Sequence, residues 1–243
     1  MNHQQLSRPT KLVLKGTPEE LAGLVAIKVL LIARRCADLP IVVETATAEE
    51  CRQESHLAKS LVLLMLYDDD EVIAVATSRA MMRFLAFMAT ANRPSRNTTA
   101  ATMWNNLMGT SITDEAMING WLNYFWTSIE LPLSSLLACE EGTSKKTAEI
   151  ELTSALKTID KHLSKQQSSR QKSKCPLCIV SPAVAPTCSG SSGDASYTLV
   201  DLSLAVTLQY MVEKNIAVAV ITREENPFLY DWNQKVQVAL DQL

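Results

Sequence analysis

The most reactive-looking pattern in the chain is Cys175-Pro176-Leu177-Cys178, a C-x-x-C pair, with Cys188 downstream and His162 upstream. Such a pair does redox chemistry when it follows a first strand at a helix N-terminus, where the thiol pKa falls. Here it lies between helical segments of the second half, which is the wrong place. Zinc is the other chemistry such residues support, but no second C-x-x-C is present and the spacing is irregular. Free loop cysteines account for the pattern more simply, so no metal is expected. His3, His56 and His162 show no triad spacing with a nucleophile, and no Gly-rich phosphate loop appears among only 7 glycines. Lys161, Lys165, Arg170, Lys172 and Lys174 form a basic run. A solvated loop explains it, with a nucleic-acid-contacting tail as the alternative. No cofactor is expected from these residues.

Bulk composition narrows the classes. The chain has 243 residues, 47% hydrophobic and 20% charged, with formal net charge -3 and pI ≈ 5.7. That is enough apolar material for one large core or two small ones. It lacks the basic excess on which affinity for a phosphate backbone largely depends. The segment from Met1 to Pro9 is polar, unlike a signal peptide, and runs such as Leu61–Leu66 are too short to span a bilayer. With 6 cysteines and no export pattern, the expectation is reduced thiols and a cytoplasmic protein.

The elements follow from periodicity and punctuation. Lys11–Lys15 alternates and ends at Gly16, which reads as a strand. Thr17-Pro18-Glu19-Glu20 supplies an N-cap, a proline at the first helical position and acidic residues in the first turn. Leu21, Leu24, Val25, Lys28, Leu31 and Ile32 continue that helix toward Cys36. Ile41–Glu44 is a second strand, and residues 46–59 read as a loop or a weak helix. Leu61–Tyr67, Asp68–Asp70 and Glu71–Ala76 form a hairpin. Ser78 then opens a helix bearing Ala80, Met81, Phe84, Leu85 and Met88. Residues 92–102 form a linker, and helices follow: one capped at Thr113-Asp114-Glu115, one over Thr147–Leu163, one from Tyr197 to about Lys214, and one from Asn226-Pro227. Pro132 bends or restarts the chain. Residues 164–195 read as a loop or insert, and Val218–Ile221 as a short apolar piece. The organisation is therefore an α/β layer, 1–91, a linker, 92–102, and an all-helical part, 103–243.

Three local features give this order a family likeness. Ser196–Leu202 contains an S/T-x-x-D capping box, Thr198 with Asp201, flanked by Tyr197 and Leu202 at the positions of a hydrophobic staple. Thr77–Ala86 follows the hairpin with a serine and a helical apolar set. An aromatic-rich first helix, Thr113–Trp126, is matched by Trp232 in the last. Together these resemble the glutathione-transferase superfamily: a thioredoxin-like α/β layer joined to a helical bundle. The nearest likeness is to the non-catalytic domains of aminoacyl-tRNA synthetases, their scaffold proteins and elongation factor 1 gamma.

The resemblance carries expectations about chemistry. An enzyme of this superfamily has a Tyr, Ser or Cys after the first strand to stabilise the glutathione thiolate; here only Thr17 is present, and capping accounts for it. The superfamily also has a cis-proline opening the third strand, and no proline lies between Pro40 and Pro94. An acidic residue normally precedes the serine that is Ser78 here; this chain has Thr77. Loss of the site is expected, leaving a non-catalytic module that binds aminoacyl-tRNA synthetases or other glutathione-transferase-like domains. It would touch tRNA only indirectly and would pair as a homo- or hetero-dimer. The alternative is a divergent glutathione transferase. The likeness places docking on helices such as Glu49–Lys59 and Ser78–Met88, or on the last helices. Ser78, Arg79, Met82 and Arg83 are therefore interface candidates, with Asp231 and Trp232 at the end. Asp231 stands where the synthetase-associated branch often has a basic residue.

Overall fold

The computed structural model describes residues 9–68, 71–91, 107–109, 111–138, 142–169, 179, 197–216 and 221–241. The segment 92–102, expected as a linker, lies outside them, as do Val218, Ala219 and Val220. The chain divides into two compact units, Met1–Ser95 and Arg96–Leu243.

The first unit is a four-stranded sheet in the order β2-β1-β3-β4. Its strands are β1 (Lys11–Gly16), β2 (Ile41–Thr45), β3 (Leu61–Leu66) and β4 (Val72–Val75). β1 runs parallel to β2 and antiparallel to β3, with Val13 opposite both Val42 and Leu64. β3 is central and buried on both sides, which is why it reads as a continuous apolar run rather than an alternating one. On one face Val13, Val62 and Leu64 pack with Ala46, Cys51 and Ala58. On the other, Leu12, Leu14, Leu63 and Met65 are buried too.

Helices follow each strand as their caps dictate. Thr17 caps α1 (Pro18–Leu21), its Oγ1 accepting from Glu20 N at 3.4 Å. The single helix expected over residues 18–36 is broken at Gly23, which takes extended angles and starts α2 (Leu24–Leu31). α2 then widens into a π turn, Ile32–Cys36, closed by Ala37 N on Ile32 O. Burial pushes the Cys36 thiol up to about 12. A raised thiol pKa disfavours the thiolate, which is the nucleophilic form. Residues 48–54 form α3 (Ala48–Glu54), nucleated by a Thr47–Glu50 capping box. α4 (Ser78–Ala91) is capped by Thr77, not Ser78: Ala80 N donates to Thr77 Oγ1.

The second unit is helical. α5 (Ile112–Phe125) begins at Ser111, whose hydroxyl accepts from Asp114 N while Asp114 accepts from Ser111 N. The cap therefore lies two residues before the expected Thr113. A π turn, Trp126–Glu130, carries the chain into α6 (Leu131–Ala138). Proline 132 explains the widening: it donates no N–H and its ring would clash with the carbonyl four residues back. α7 (Thr143–Ser169) runs past Leu163, so residues 164–169, expected in the insert, are helical. α8 (Leu199–Glu213) is apolar nearly all round and is the buried central helix. α9 (Pro227–Asp241) is capped from outside, Asp160 Oδ1 accepting from Phe228 N and Leu229 N at 2.9 and 2.8 Å. These two units, a small mixed sheet with helices and a helical bundle, make a glutathione-transferase-like fold.

Candidate functional site

At the C-terminal end of β1 the chain leaves through Gly16 into Thr17, and β3 enters beside it at Ser60. A side chain on Gly16 would stand 3.1 Å from Ser60 O and 2.6 Å from Leu61 Cδ1, so glycine permits this close approach. Thr17 N donates to Ser60 O at 3.1 Å, which continues the β1–β3 ladder one residue beyond the strand. The Ser60 hydroxyl donates to Glu20 Oε1 at 2.9 Å. Ser60 immediately precedes β3. Here its carbonyl and hydroxyl are both satisfied within the chain.

α4 presents the next candidate surface. Met81, Met82, Leu85 and Met88 all lie in the core, Met82 with only 3% of its surface exposed. Met82 is thus corrected from interface to core: α4 packs on α2 and on the π turn that follows it, and the combined contact takes a wide face. The outward stripe is Arg79, half-buried Arg83 and Phe87, spaced four apart as one helix face requires. Phe87 is 43% exposed and was not singled out by the sequence pattern. Ser78 is half-buried beside this stripe.

In the helical unit Asp201 is fully buried and its carboxylate accepts four hydrogen bonds. Oδ2 takes Thr198 N at 2.9 Å and Thr198 Oγ1 at 2.8 Å; Oδ1 takes Ile179 N at 2.8 Å and Trp232 Nε1 at 3.2 Å. Burial pushes this carboxyl above the usual range, and the donors from Ile179, Thr198 and Trp232 pull it back. Trp232 is 1% exposed and belongs to this node, so it is corrected from interface to core. Its indole needs a buried acceptor, and Asp201 supplies it. Tyr197 and Leu202, on either side of the cap, are buried as well. Asp231 is exposed and lies 3.6 Å from Arg223, so it has a cationic neighbour within the chain. The His162 ring lies tilted against Trp121, with centroids 4.5 Å apart and planes at 59°, and its Nε2 lies 2.9 Å from Ile179 O.

Among the described residues no group of three or more His, Cys, Asp or Glu could hold a metal. Cys175, Cys178 and Cys188 lie outside the described residues. Of the basic run, Lys161 and Lys165 belong to α7 rather than to a loop, while Arg170, Lys172 and Lys174 lie outside. No described helix is long and apolar enough to cross a membrane.

Neither a protein-family model nor a curated protein matches the chain. Solved structures do. Ure2p in complex with glutathione is similar with TM-score 0.68 at 13% identity, over 97% of this chain and 99% of that one. The apo form of glutathione S-transferase III is similar with TM-score 0.63 at 17% identity, over 96% and 94%. A glutathione transferase family member from Pseudomonas fluorescens, with two glutathiones bound, gives 0.64 at 15%, over 96% and 92%. At such identities the likeness shows the glutathione-transferase-like fold, and the chemistry must be argued from residues.

Proposed function

We propose that the chain is a non-catalytic interaction module on a glutathione-transferase-like scaffold, joining aminoacyl-tRNA synthetases or related translation factors into a complex. The observation that supports the non-catalytic part is the residue set at this end of the sheet. Thr17 is the one hydroxyl in the loop after β1 and caps α1, and no proline opens β3. The stripe of Arg79, Arg83 and Phe87 supports the interaction part, because arginine and aromatic side chains are enriched at protein interfaces. With Met82 and Trp232 in the core, these three residues are the docking set we propose. Arg79→Glu and Phe87→Ser should each fold like wild type and reduce recovery of translation proteins from native extract by roughly tenfold. Equal recovery by both folded variants removes α4 as the docking surface.

A divergent glutathione transferase is the second reading, and the solved structures favour it, since most of those similar to the chain are glutathione transferases. One local feature also favours it. Thr17 Oγ1 accepts from Glu20 N, which leaves the hydroxyl hydrogen for donation to a thiolate. The two readings separate on immobilised glutathione. The module should wash through and show no turnover with glutathione and common electrophiles. Retention reversed by free glutathione, with turnover that Thr17→Ala abolishes, establishes the transferase instead.

A further inference from the structure

β2 is an edge strand with an unusual exposure. Of its five residues none is fully buried, and Val42 and Val43 are 40% and 39% exposed. Its inner edge is fixed by the ladder to β1: Leu12 N donates to Pro40 O and Ala46 N to Gly16 O. In a parallel pair successive residues alternate the direction of their backbone groups. Pro40, Val42, Glu44 and Ala46 therefore face β1, and Ile41, Val43 and Thr45 turn their N–H and C=O outward. Among the described residues nothing bonds to that outer edge.

The charge beside the edge is lopsided. Val42 and Glu44 lie on the α3 side of the sheet, opposite Val13 and Lys15. Thr47 leads directly from β2 into α3, bringing Glu49, Glu50 and Glu54 to the same side. Lys15 is held by Glu54 at 2.8 Å and Arg52 by Glu49 at 2.8 Å. Glu44 has no ion pair among the described residues, and Glu50 caps Thr47 through backbone and hydroxyl. Glu44 and Glu50 act on Lys15 as Glu54 does, so three carboxylates share one lysine and this side keeps an excess of negative charge. A charged edge usually guards against unwanted pairing. Here the guard is selective, because acidic charge repels acidic strands and favours basic ones.

We infer that the outer edge of β2 takes up an extended, basic segment of a partner protein as an added strand. Period-2 geometry fixes its pattern. Side chains on the α3 side meet Glu44, the one charged residue of β2, and must be Lys or Arg. Those on the other side meet Ile41, Val43 and Thr45 and must be apolar. The occupant is an alternating basic and apolar stretch of about five residues, matching the strand length. This surface is separate from α4, and its test leaves the α4 proposal untouched.

The probe is a labelled, end-blocked peptide of alternating Lys and Val, titrated into the intact chain by fluorescence polarisation. Saturable binding weakened by salt is expected, with slower amide exchange at Ile41, Val43 and Thr45. An alternating Glu and Val peptide, and a Lys and Val peptide arranged in two blocks, should each bind about tenfold more weakly. Val43→Pro removes an outward donor while sparing the ladder to β1, because that N–H faces away from it. It should lower Lys/Val affinity about tenfold with the unfolding midpoint near wild type. Should Val43→Pro misfold, Glu44→Lys decides the matter: it should weaken the Lys/Val peptide and strengthen the Glu/Val one. Equal affinity of wild type and folded variants, binding indifferent to peptide order, or no saturable binding overturns the inference.

Discussion

Asp201→Ala is expected to destabilise the helical unit by about 3–5 kcal/mol, well beyond the ~1 kcal/mol of an ordinary helix cap. The difference lies in what the alanine leaves behind. Three N–H groups and one hydroxyl, from Thr198, Ile179 and Trp232, converge on this carboxylate where water does not reach. Losing the acceptor leaves buried donors unpaired, each costing the full desolvation of its group. Asp201→Asn tests the same point without a cavity. One amide end can still accept, but the NH2 end must face a donor, so it should recover less than half of the loss. All four tryptophans, Trp104, Trp121, Trp126 and Trp232, belong to the second unit. Denaturant unfolding followed by their fluorescence therefore reads this unit directly. A midpoint for Asp201→Ala within error of wild type would falsify the assignment of this carboxylate as the node.

Much of the fold is legible in the residues because local chemistry and tertiary demand agree. Lys11–Gly16 alternates and then meets glycine, threonine and proline, so strand, turn and cap coincide. The Thr198–Asp201 box is visible for a similar reason: a capping pair, a flanking tyrosine and a long apolar run all require a buried helix start. What was not legible depends on neighbours. The break at Gly23 sits inside a sequence whose apolar spacing is continuous. Only the extended backbone that glycine takes there separates α1 from α2. α3 was obscured because it has few apolar residues; its stability comes from the Thr47–Glu50 box and Cys51 packing on the sheet.

The candidate surfaces were harder still. Helical spacing says which side chains share a face, but the width of the buried face is set by the elements that pack there. α4 meets both α2 and the π turn after it, so Met82 is covered and Phe87 is not. Trp232 could be placed on the last helix from sequence alone, yet its partner Asp201 is 31 residues earlier and no local pattern couples them. Glu20 and Ser60 are likewise joined only by strand register. The outer edge of β2 shows the reverse case. Ile41–Thr45 reads as an ordinary apolar strand, and only the sheet order reveals that one of its edges has no partner.

Ile179→Ala should cost the helical unit about 2–5 kcal/mol, the scale of a large-to-small change in a core. The residue is the one described position in a stretch the sequence presents as an insert. It is 0% exposed, its N–H donates to Asp201, and its carbonyl lies 2.9 Å from both His162 Nε2 and Gln166 Nε2. Alanine keeps all of these backbone contacts and removes only the side chain, so the loss isolates packing from hydrogen bonding. Ile179→Val calibrates the measurement, with about 0.5–1.5 kcal/mol expected for one methyl group. The Trp232 indole N–H resonance adds a local readout. Both Ile179 and Trp232 donate to the same oxygen of Asp201, so loosening one should move the other. Alanine and valine variants with the stability of wild type and an unmoved indole signal would show that Ile179 merely rests on the bundle. A graded loss from valine to alanine, accompanied by a shifted indole signal, makes the Ile179 side chain a packed part of the core around Asp201 and Trp232.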